Sequence, residues 1–280
     1  MAGTEDPQQA ASAGTEAALH AEIARLRAEA EDLRRSLAHD LRARLRHILS
    51  YAQLVQEEAA PLLSTQVQGF LATIHTSAQE LAAMLDGLME LSRLSTVALQ
   101  WQSVPTQPLV QRWIEQWQQT PQNAAAAALD SASARAAAAP ALAGVVDKGV
   151  AAPEFQVDGD LPVVRADAAL LQLAVAQILD NAVKFSAGAT AARIHVRALE
   201  RNAQGLVGLE IADNGAGCNA AQSDALFHPF ARLHSARQFP GLGLGLARAQ
   251  RIVQRLDGSL TLDSAVGAGC RVRVLLQAAD

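Results

Sequence analysis

Hydrophobic positions in the first third of the chain recur at helical spacing. Leu19, Ile23, Leu26, Ala30, Leu33 and Leu37 alternate steps of four and three residues, with Glu22, Arg25, Arg27, Glu29, Glu31 and Arg34 on the other faces. This is the signature of a short coiled coil and predicts a homodimer; a single amphipathic helix packed on its own chain carries a similar stripe, though usually a wider one. From Leu33 onward the steps are all fours, through Leu37, Leu41 and Leu45. Such a stutter locally unwinds a coiled coil, and here it falls around His39. The pattern predicts one nearly continuous helix over 15–58, a turn starting at Pro61, and a second helix over 64–94 with Val67, Phe70, Ile74, Leu81 and Leu88 among its apolar positions. Two long helices joined by a short turn form an antiparallel hairpin, and two hairpins form a four-helix bundle.

Past residue 97 the period changes. A short strand is expected over 99–104, then a helix over 109–119 whose Trp113 and Trp117, one turn apart, read as core packing. The alanine-rich stretch 123–150 either extends that helix on propensity alone or forms an unstructured insert; periodicity does not separate the two. From Pro153 strands and helices mix. A strand over 154–157 leads to a helix over 168–185, then two alternating strands, 194–199 and 207–212, pair across a turn at 202–205. A helix over 244–256 and a hairpin of 259–263 with 270–276 complete an α/β sandwich, its helices covering one face of a mixed sheet. The fold class is α+β: residues 1–16, small, polar and unpatterned, are expected to be disordered; 17–96 form the coiled coil and hairpin; 97–280 form the sandwich.

Composition narrows the partners. At 280 residues with 50% hydrophobic content, the chain has ample material for real cores, and its net charge of −5 does not suit a general nucleic-acid binder. Cys218 and Cys270 lie far apart with no Cys-x-x-Cys pair, which argues against a disulfide framework or zinc site and fits a reducing compartment. No signal peptide is evident. The apolar run 136–146 is broken by Pro140 and falls short of the ~20 residues a bilayer span needs. A soluble, cytoplasmic chain with no membrane span is expected.

Four stretches carry candidate chemistry. His39 lies two residues past Leu37, which at ~100° per residue turns it about 200° from the apolar stripe and into water, beside Asp40. Taken alone, such a histidine is ordinarily just a solvated surface residue. Asn181 and Lys184 sit at i and i+3 on one helix; an amide oxygen is a hard ligand suited to Mg²⁺, and a lysine one turn on can meet a phosphate. Asp213-Asn214-Gly215-Ala216-Gly217 follows a strand directly, placing a carboxylate to accept from an exocyclic amine and glycines where a base can approach the backbone. Gly241-Leu242-Gly243-Leu244-Gly245 opens the last helix, where free N–H groups cradle phosphate oxygens; no Gly-Lys-Ser/Thr follows, so it is not a Walker loop. Each is weak alone, and together they converge on a nucleotide.

In this order the motifs resemble those of the two-component sensor histidine kinases, over roughly residues 20 to 277. His39-Asp40-Leu41-Arg42 is similar to the family's H box and Asn181 to Phe185 to its N box. Asp213 to Gly217 is similar to the G1 box, Leu226 to Arg232 to the F box and Gly241 to Gly245 to the G2 box. The wording around His39 and the Phe239-Pro240-Gly241 entry to the last box are most similar to phytochrome-type kinases. The resemblance implies a HisKA-type dimerisation domain followed by an ATP-binding domain, with ATP and Mg²⁺ as cofactors. His39 would accept the phosphoryl group, with Asp40 orienting its ring or taking its proton. Asn181 would bind Mg²⁺, Lys184 contact phosphate and Asp213 read the adenine amine, with Phe185, Gly215, Gly217, Gly241, Gly243 and Gly245 completing the site. A lid over about 223–240 would be anchored by Phe230, with Arg232 or Arg237 facing the phosphates. The implied partners are a second copy of the chain, a response-regulator receiver domain, and a sensor that is either a separate protein or a segment outside this chain.

Departures from the family pattern carry expectations too. Ala43 stands four residues after the histidine, where Thr or Asn usually supports dephosphorylation of the partner, so weak phosphatase activity is expected. Arg44 replaces a proline that commonly kinks the helix, so a straighter helix is expected. Gln177 stands where related hydrolytic ATPases have a glutamate, which favours kinase over ATPase. Leu242 replaces a common threonine, which removes one phosphate contact. The rival reading is a degenerate, non-catalytic scaffold that binds a receiver or another kinase.

Overall fold

The computed structural model describes residues 7–119, 153–189, 191–235 and 238–279. Helix α1 spans Pro7–Ala59 and, through a 3₁₀ turn at Ala60–Leu62, reverses into α2, Thr65–Thr96. Ser64 caps α2, its hydroxyl accepting from the Val67 amide at 3.4 Å. The helix begins earlier than expected: Pro7 is tolerated in a first helical turn, and the Ala- and Gln-rich residues after it are good helix formers, so 7–16 are helical rather than disordered. No break falls at Arg44.

Two cross-helix contacts fix the register of the hairpin. Glu31 accepts from the Ser92 hydroxyl, and Arg42 donates to Asp86 at 2.6 and 3.1 Å. Arg42 lies three residues after His39 and Asp86 is next to Gly87, so this pair brings the two stretches side by side. Only part of the apolar stripe is used within the chain: Ala38, Leu45 and Ala52 are buried, whereas Leu37, Leu41, Ile48 and Val55 stay exposed.

After the hairpin come β1 (Gln102–Pro105), α3 (Thr106–Gln119), β2 (Glu154–Asp158), β3 (Val163–Ala166) and α4 (Ala168–Ser186). Then follow β4 (Arg193–Leu199), β5 (Leu206–Asp213), a 3₁₀ segment (Ala220–Phe227), α5 (Gly245–Arg255), β6 (Ser259–Ser264) and β7 (Cys270–Gln277). The main sheet runs β2-β4-β5-β7-β6, with β2 parallel to β4 and the other pairs antiparallel. Strand β3 is not foreseen by alternation because it is only four residues long; it pairs antiparallel with β1 in a separate ribbon. The alanine-rich 123–150 lies outside the described residues.

Helix α4 is the core of this unit. Asp167 caps it, accepting from the Ala169 and Leu170 amides at 3.1 Å, while its other oxygen takes the Gln100 amide at 2.9 Å and so ties the linker to the helix. Leu171, Ala174, Val175, Ile178, Leu179, Ala182 and Val183 bury one side of α4, alongside Ile194, Val196, Leu209, Ile211, Val272 and Val274 of the sheet. By length and hydropathy α4 is apolar enough to cross a bilayer, the one such helix among the described residues, but that apolarity is spent on the core. Trp113 and Trp117 meet the Phe155 ring edge-on, with centroids 6.0 and 5.4 Å away, as core packing requires.

Three cross-strand partners clamp the middle of the sheet. Glu210 of β5 is nearly enclosed and accepts from Arg197 Nε of β4 and Arg273 Nε of β7, each at 2.8 Å. Burial works against its charge, but the two guanidinium groups outweigh burial and hold the carboxyl below the usual range. A carboxyl lowered in the folded state supplies stability that is complete above its unfolded pKa, about 4.3, and is lost as the pH falls through the folded value. Glu210→Gln is expected to cost about 2 kcal/mol at neutral pH and to lessen the acid-side loss of stability, read from denaturant melts at pH 7 and pH 3.

Candidate active site

Strand alternation places Leu209, Ile211 and Asp213 on the face of β5 that the helices cover, so the last position of that column is a carboxylate. Its Oδ1 accepts from the Gly215 amide at 2.8 Å and turns the chain off the strand. Burial pushes the Asp213 carboxyl up to about 6, against hydrogen bonds from the Gly215 and Cys270 amides that pull it down. Beside it opens a cavity of about 900 Å³, counting the solvent space at its mouth. Ile178, Ile211, Leu262 and Val272 give it an apolar end around Asp213, and Asn181, Lys184, Arg232 and the glycine loop give it a polar end.

Most of the predicted residues meet here. Asn181, Lys184, Phe185, Asp213, Gly217, Arg232, Gly241, Gly243 and Gly245 all line the cavity. The start of α5 is pressed against α4: a Cβ on Gly245 would come within 3.1 Å of both Asn181 Nδ2 and Gln177 Oε1. Asn181 thus lines the cavity beside the N-terminus of α5, and the described residues hold no cluster of three or more acidic, cysteine or histidine side chains that could hold a metal by themselves. A magnesium ion held by one amide oxygen and by phosphate oxygens fits this donor set.

Two predicted residues act from outside the lining. Gly215 is buried under the end of α4, where a Cβ would lie 2.3 Å from the Phe185 carbonyl oxygen; its smallness serves that backbone contact and not the approach of a base. Phe230 holds a left-handed backbone (φ 67°) and donates its amide to the Gly243 carbonyl at 3.0 Å. It ties its segment to the glycine loop and packs towards α2, beside Ala83 and Leu91. Leu242 is likewise buried towards α2, beside Ala83, Leu91 and Leu244, so a residue judged by its lost phosphate contact is a packing residue. Arg232 braces the lid, donating to the Phe239 carbonyl at 2.6 Å. Arg237 lies outside the described residues.

Sequence reasoning missed His234, Phe239 and Cys270. Phe239 stacks at 4.9 Å from the Phe185 ring and 5.1 Å from His234, forming an aromatic wall; His234 is bonded to the Gly217 carbonyl at 2.9 Å. No spacing rule joins positions 185, 234 and 239, though a phenylalanine just before a Pro-Gly loop entry was a usable signal. Cys270 is the register partner of Asp213, and burial, with Asp213 and Cys218 adding to it, pushes its thiol up to about 12.

His39 and Asp40 lie apart from the cavity, on α1. The imidazole is 76% exposed and its Nδ1 is 3.4 Å from Asp40 Oδ1. Adjacent helical side chains diverge by ~100°, yet the two groups bend towards each other closely enough for the carboxylate to bias the ring.

Comparison with known proteins agrees with this geometry. Residues 166–280 match the family described as histidine kinase-, DNA gyrase B- and HSP90-like ATPase. The adaptive-response sensory kinase SasA of Synechocystis sp. is 36% identical over 110 residues, 39% of this chain and 28% of that protein. Cyanobacterial phytochrome B of Nostoc sp. is 26% identical over 93% of this chain and 31% of its own length. Sensor protein KdpD of Mycobacterium tuberculosis is 28% identical over 90% and 27%. The chain thus spans less than a third of the length of these curated relatives. Among solved structures, full-length ShkA in complex with AMPPNP superposes with a TM-score of 0.55 at 20% identity, over 89% of this chain and 46% of that one. The Acinetobacter baumannii histidine kinase AdeS gives 0.50 at 16%, over 86% and 98%. At such identities these two show the shared fold.

The raised Asp213 predicts a pH dependence. Above about pH 6 the free carboxylate offers acceptors to an adenine amine; below it a proton occupies an oxygen and faces the amine donor with another donor. Affinity for an adenine nucleotide is expected to fall several-fold from pH 7.5 to 5.5, measured by calorimetry with a non-hydrolysable analogue, and Asp213→Asn is expected to bind weakly with a flatter profile.

Proposed function

We propose that this chain, whose residues 166–280 are a nucleotide-binding domain of the histidine kinase-, DNA gyrase B- and HSP90-like ATPase family, is the core of a two-component sensor histidine kinase. It transfers the γ-phosphoryl group of ATP to His39 and passes it to an aspartate on a response-regulator receiver. The observation that carries the reading is a water-exposed imidazole with a carboxylate beside it, on a stalk against which the glycine loop of the nucleotide domain is packed, next to the Arg42–Asp86 pair.

Asp40 facing Nδ1 favours the tautomer with the proton on that nitrogen and leaves the Nε2 lone pair outward. Nε2 attacks the γ-phosphorus; the new N–P bond forms as the bond to the β–γ bridging oxygen breaks and ADP departs. Phosphoryl transfer asks mainly for positioning and charge neutralisation. Asp213 would hold the adenine amine, the amides of Gly241 to Gly245 and Lys184 the phosphates, and Asn181 a magnesium ion, which when bound would neutralise phosphate charge. Gln177, a neutral amide beside Gly245, has no basic group with which to activate water, which favours the histidine as acceptor.

The stalk supports a homodimer. Leu33, Leu37, Leu41 and Ile48 on α1, with Phe70, Ile74, Leu81 and Leu88 on α2, remain exposed in the single chain, and large apolar groups left in water mark interaction surfaces. A second copy burying these positions completes a four-helix bundle. Below His39 towards the hairpin turn, α1 offers the receiver a docking face. Ala43 sits one turn from His39 with no polar group to position a water.

Incubation with γ-labelled ATP and Mg²⁺ tests the reading: acid-labile, base-stable label is expected on the wild type and none on His39→Gln. Nucleotide binding without label on either protein would indicate a scaffold instead. Ala43→Thr is expected to leave autophosphorylation within about twofold and to raise release of phosphate from a phosphorylated receiver, measured as receiver half-life with each variant.

A further inference from the structure

Helix α2 carries two internal glycines in very different settings. A Cβ on Gly69 would meet nothing within 4 Å, whereas one on Gly87 would lie 2.1 Å from Leu244 Cδ1 and 3.4 Å from Arg248 Nη2. A glycine inside a helix weakens it relative to alanine. At Gly87 the missing side chain makes a notch, and Leu244 of the glycine loop, with no exposed surface left, fills it. Ala83, Leu91, Leu242 and Phe230 close around the contact.

Polar contacts latch the same face. Arg248, on the first turn of α5 and 1% exposed, pairs with Glu90 of α2 at 2.8 Å. Arg255, at the other end of α5, donates to the carbonyls of Leu94 and Val97 at 2.6 Å each, closing the C-terminus of α2. Within the glycine loop the residues alternate in purpose: Gly241, Gly243 and Gly245 line the cavity, and Leu242 and Leu244 face the stalk. The notch adjoins Asp86, the partner of Arg42, which lies three residues past His39 on α1.

We infer that Gly87 is a docking notch for Leu244, latched by Glu90 and Arg248, that positions the bound nucleotide for transfer to His39. Gly87, Glu90 and Leu244 are positioning residues: they touch neither the base nor the histidine, and they set the height at which the phosphate end of the cavity meets the stalk. This rests on the kinase reading above. A misplacement of about 1 Å from a distant change is enough to cost on the order of a hundredfold in rate.

The test is the rate of autophosphorylation against ATP concentration in the full chain, with the affinity for a non-hydrolysable ATP analogue measured beside it. Gly87→Leu fills the notch and is expected to lower kcat at least tenfold, with analogue affinity within about twofold of wild type. Gly69→Leu, the same change in open space, is expected to leave both unchanged. Glu90→Arg and Arg248→Glu are each expected to slow transfer, and the pair together to recover part of the loss, the mark of a direct interaction between them, while analogue affinity stays within about twofold throughout, which a loss of fold would not leave. Leu244→Ala gives a second route that leaves α2 untouched and is expected to lower kcat likewise. Gly87→Leu and Leu244→Ala proteins that label His39 at the wild-type rate or faster would overturn the inference while the kinase reading stands. A wild type that binds the analogue and never labels His39 would remove both.

Discussion

The molecule depends on one stretch of backbone that has no room for side chains on its cavity side. A Cβ on Gly243 would lie 2.6 Å from the Ala231 carbonyl oxygen, and one on Gly245 would crowd the amides of Asn181 and Gln177. The loop from 241 to 245 is therefore pinned between the lid and α4, and its intervening leucines can go only outward, to α2. The tie to Phe230, the start of α5 and the contact with α2 all follow from that approach. Gly243, at φ 73°, also has a backbone that other residues rarely adopt.

The stalk answers to a different requirement. Several of the positions buried within one chain are small, Ala38, Ala52 and Ala78, while large residues such as Leu37, Leu41 and Ile48 are left facing out. A helix pair built this way stabilises itself only partly and draws further stability from whatever covers the leucines. His39, on the polar side of that stripe, stays in water, as the phosphoryl transfer proposed for it requires.

Much of this was legible because periods of 3.6 and 2 report directly on which face is buried. The two long helices, the strand pair joined across residues 202–205 and the closing hairpin each extend far enough for the period to show. Asp213 was legible for the same reason, since counting by twos from Leu209 puts it on the covered face. Illegible parts were those set by contacts distant in sequence. Strand β3 is too short to alternate visibly and exists because β1 pairs with it. For Gly215 and Leu242 the neighbours that the fold supplies, the Phe185 carbonyl and α2, are far away in sequence and were not foreseen. Gly87 looked like any helical glycine; only the fold brings Leu244, 157 positions further on, against it. The start of α1 was misjudged because small, polar composition was weighed above helix propensity.

Amide hydrogen exchange with and without a magnesium-bound, non-hydrolysable ATP analogue tests the central claim most directly, because it asks where the nucleotide sits without asking for turnover. The account predicts slowed exchange concentrated at 213–217 and 241–246, the strand end and the glycine loop. Unchanged exchange in those two segments at saturating analogue, or protection confined to other parts of the chain, would contradict it.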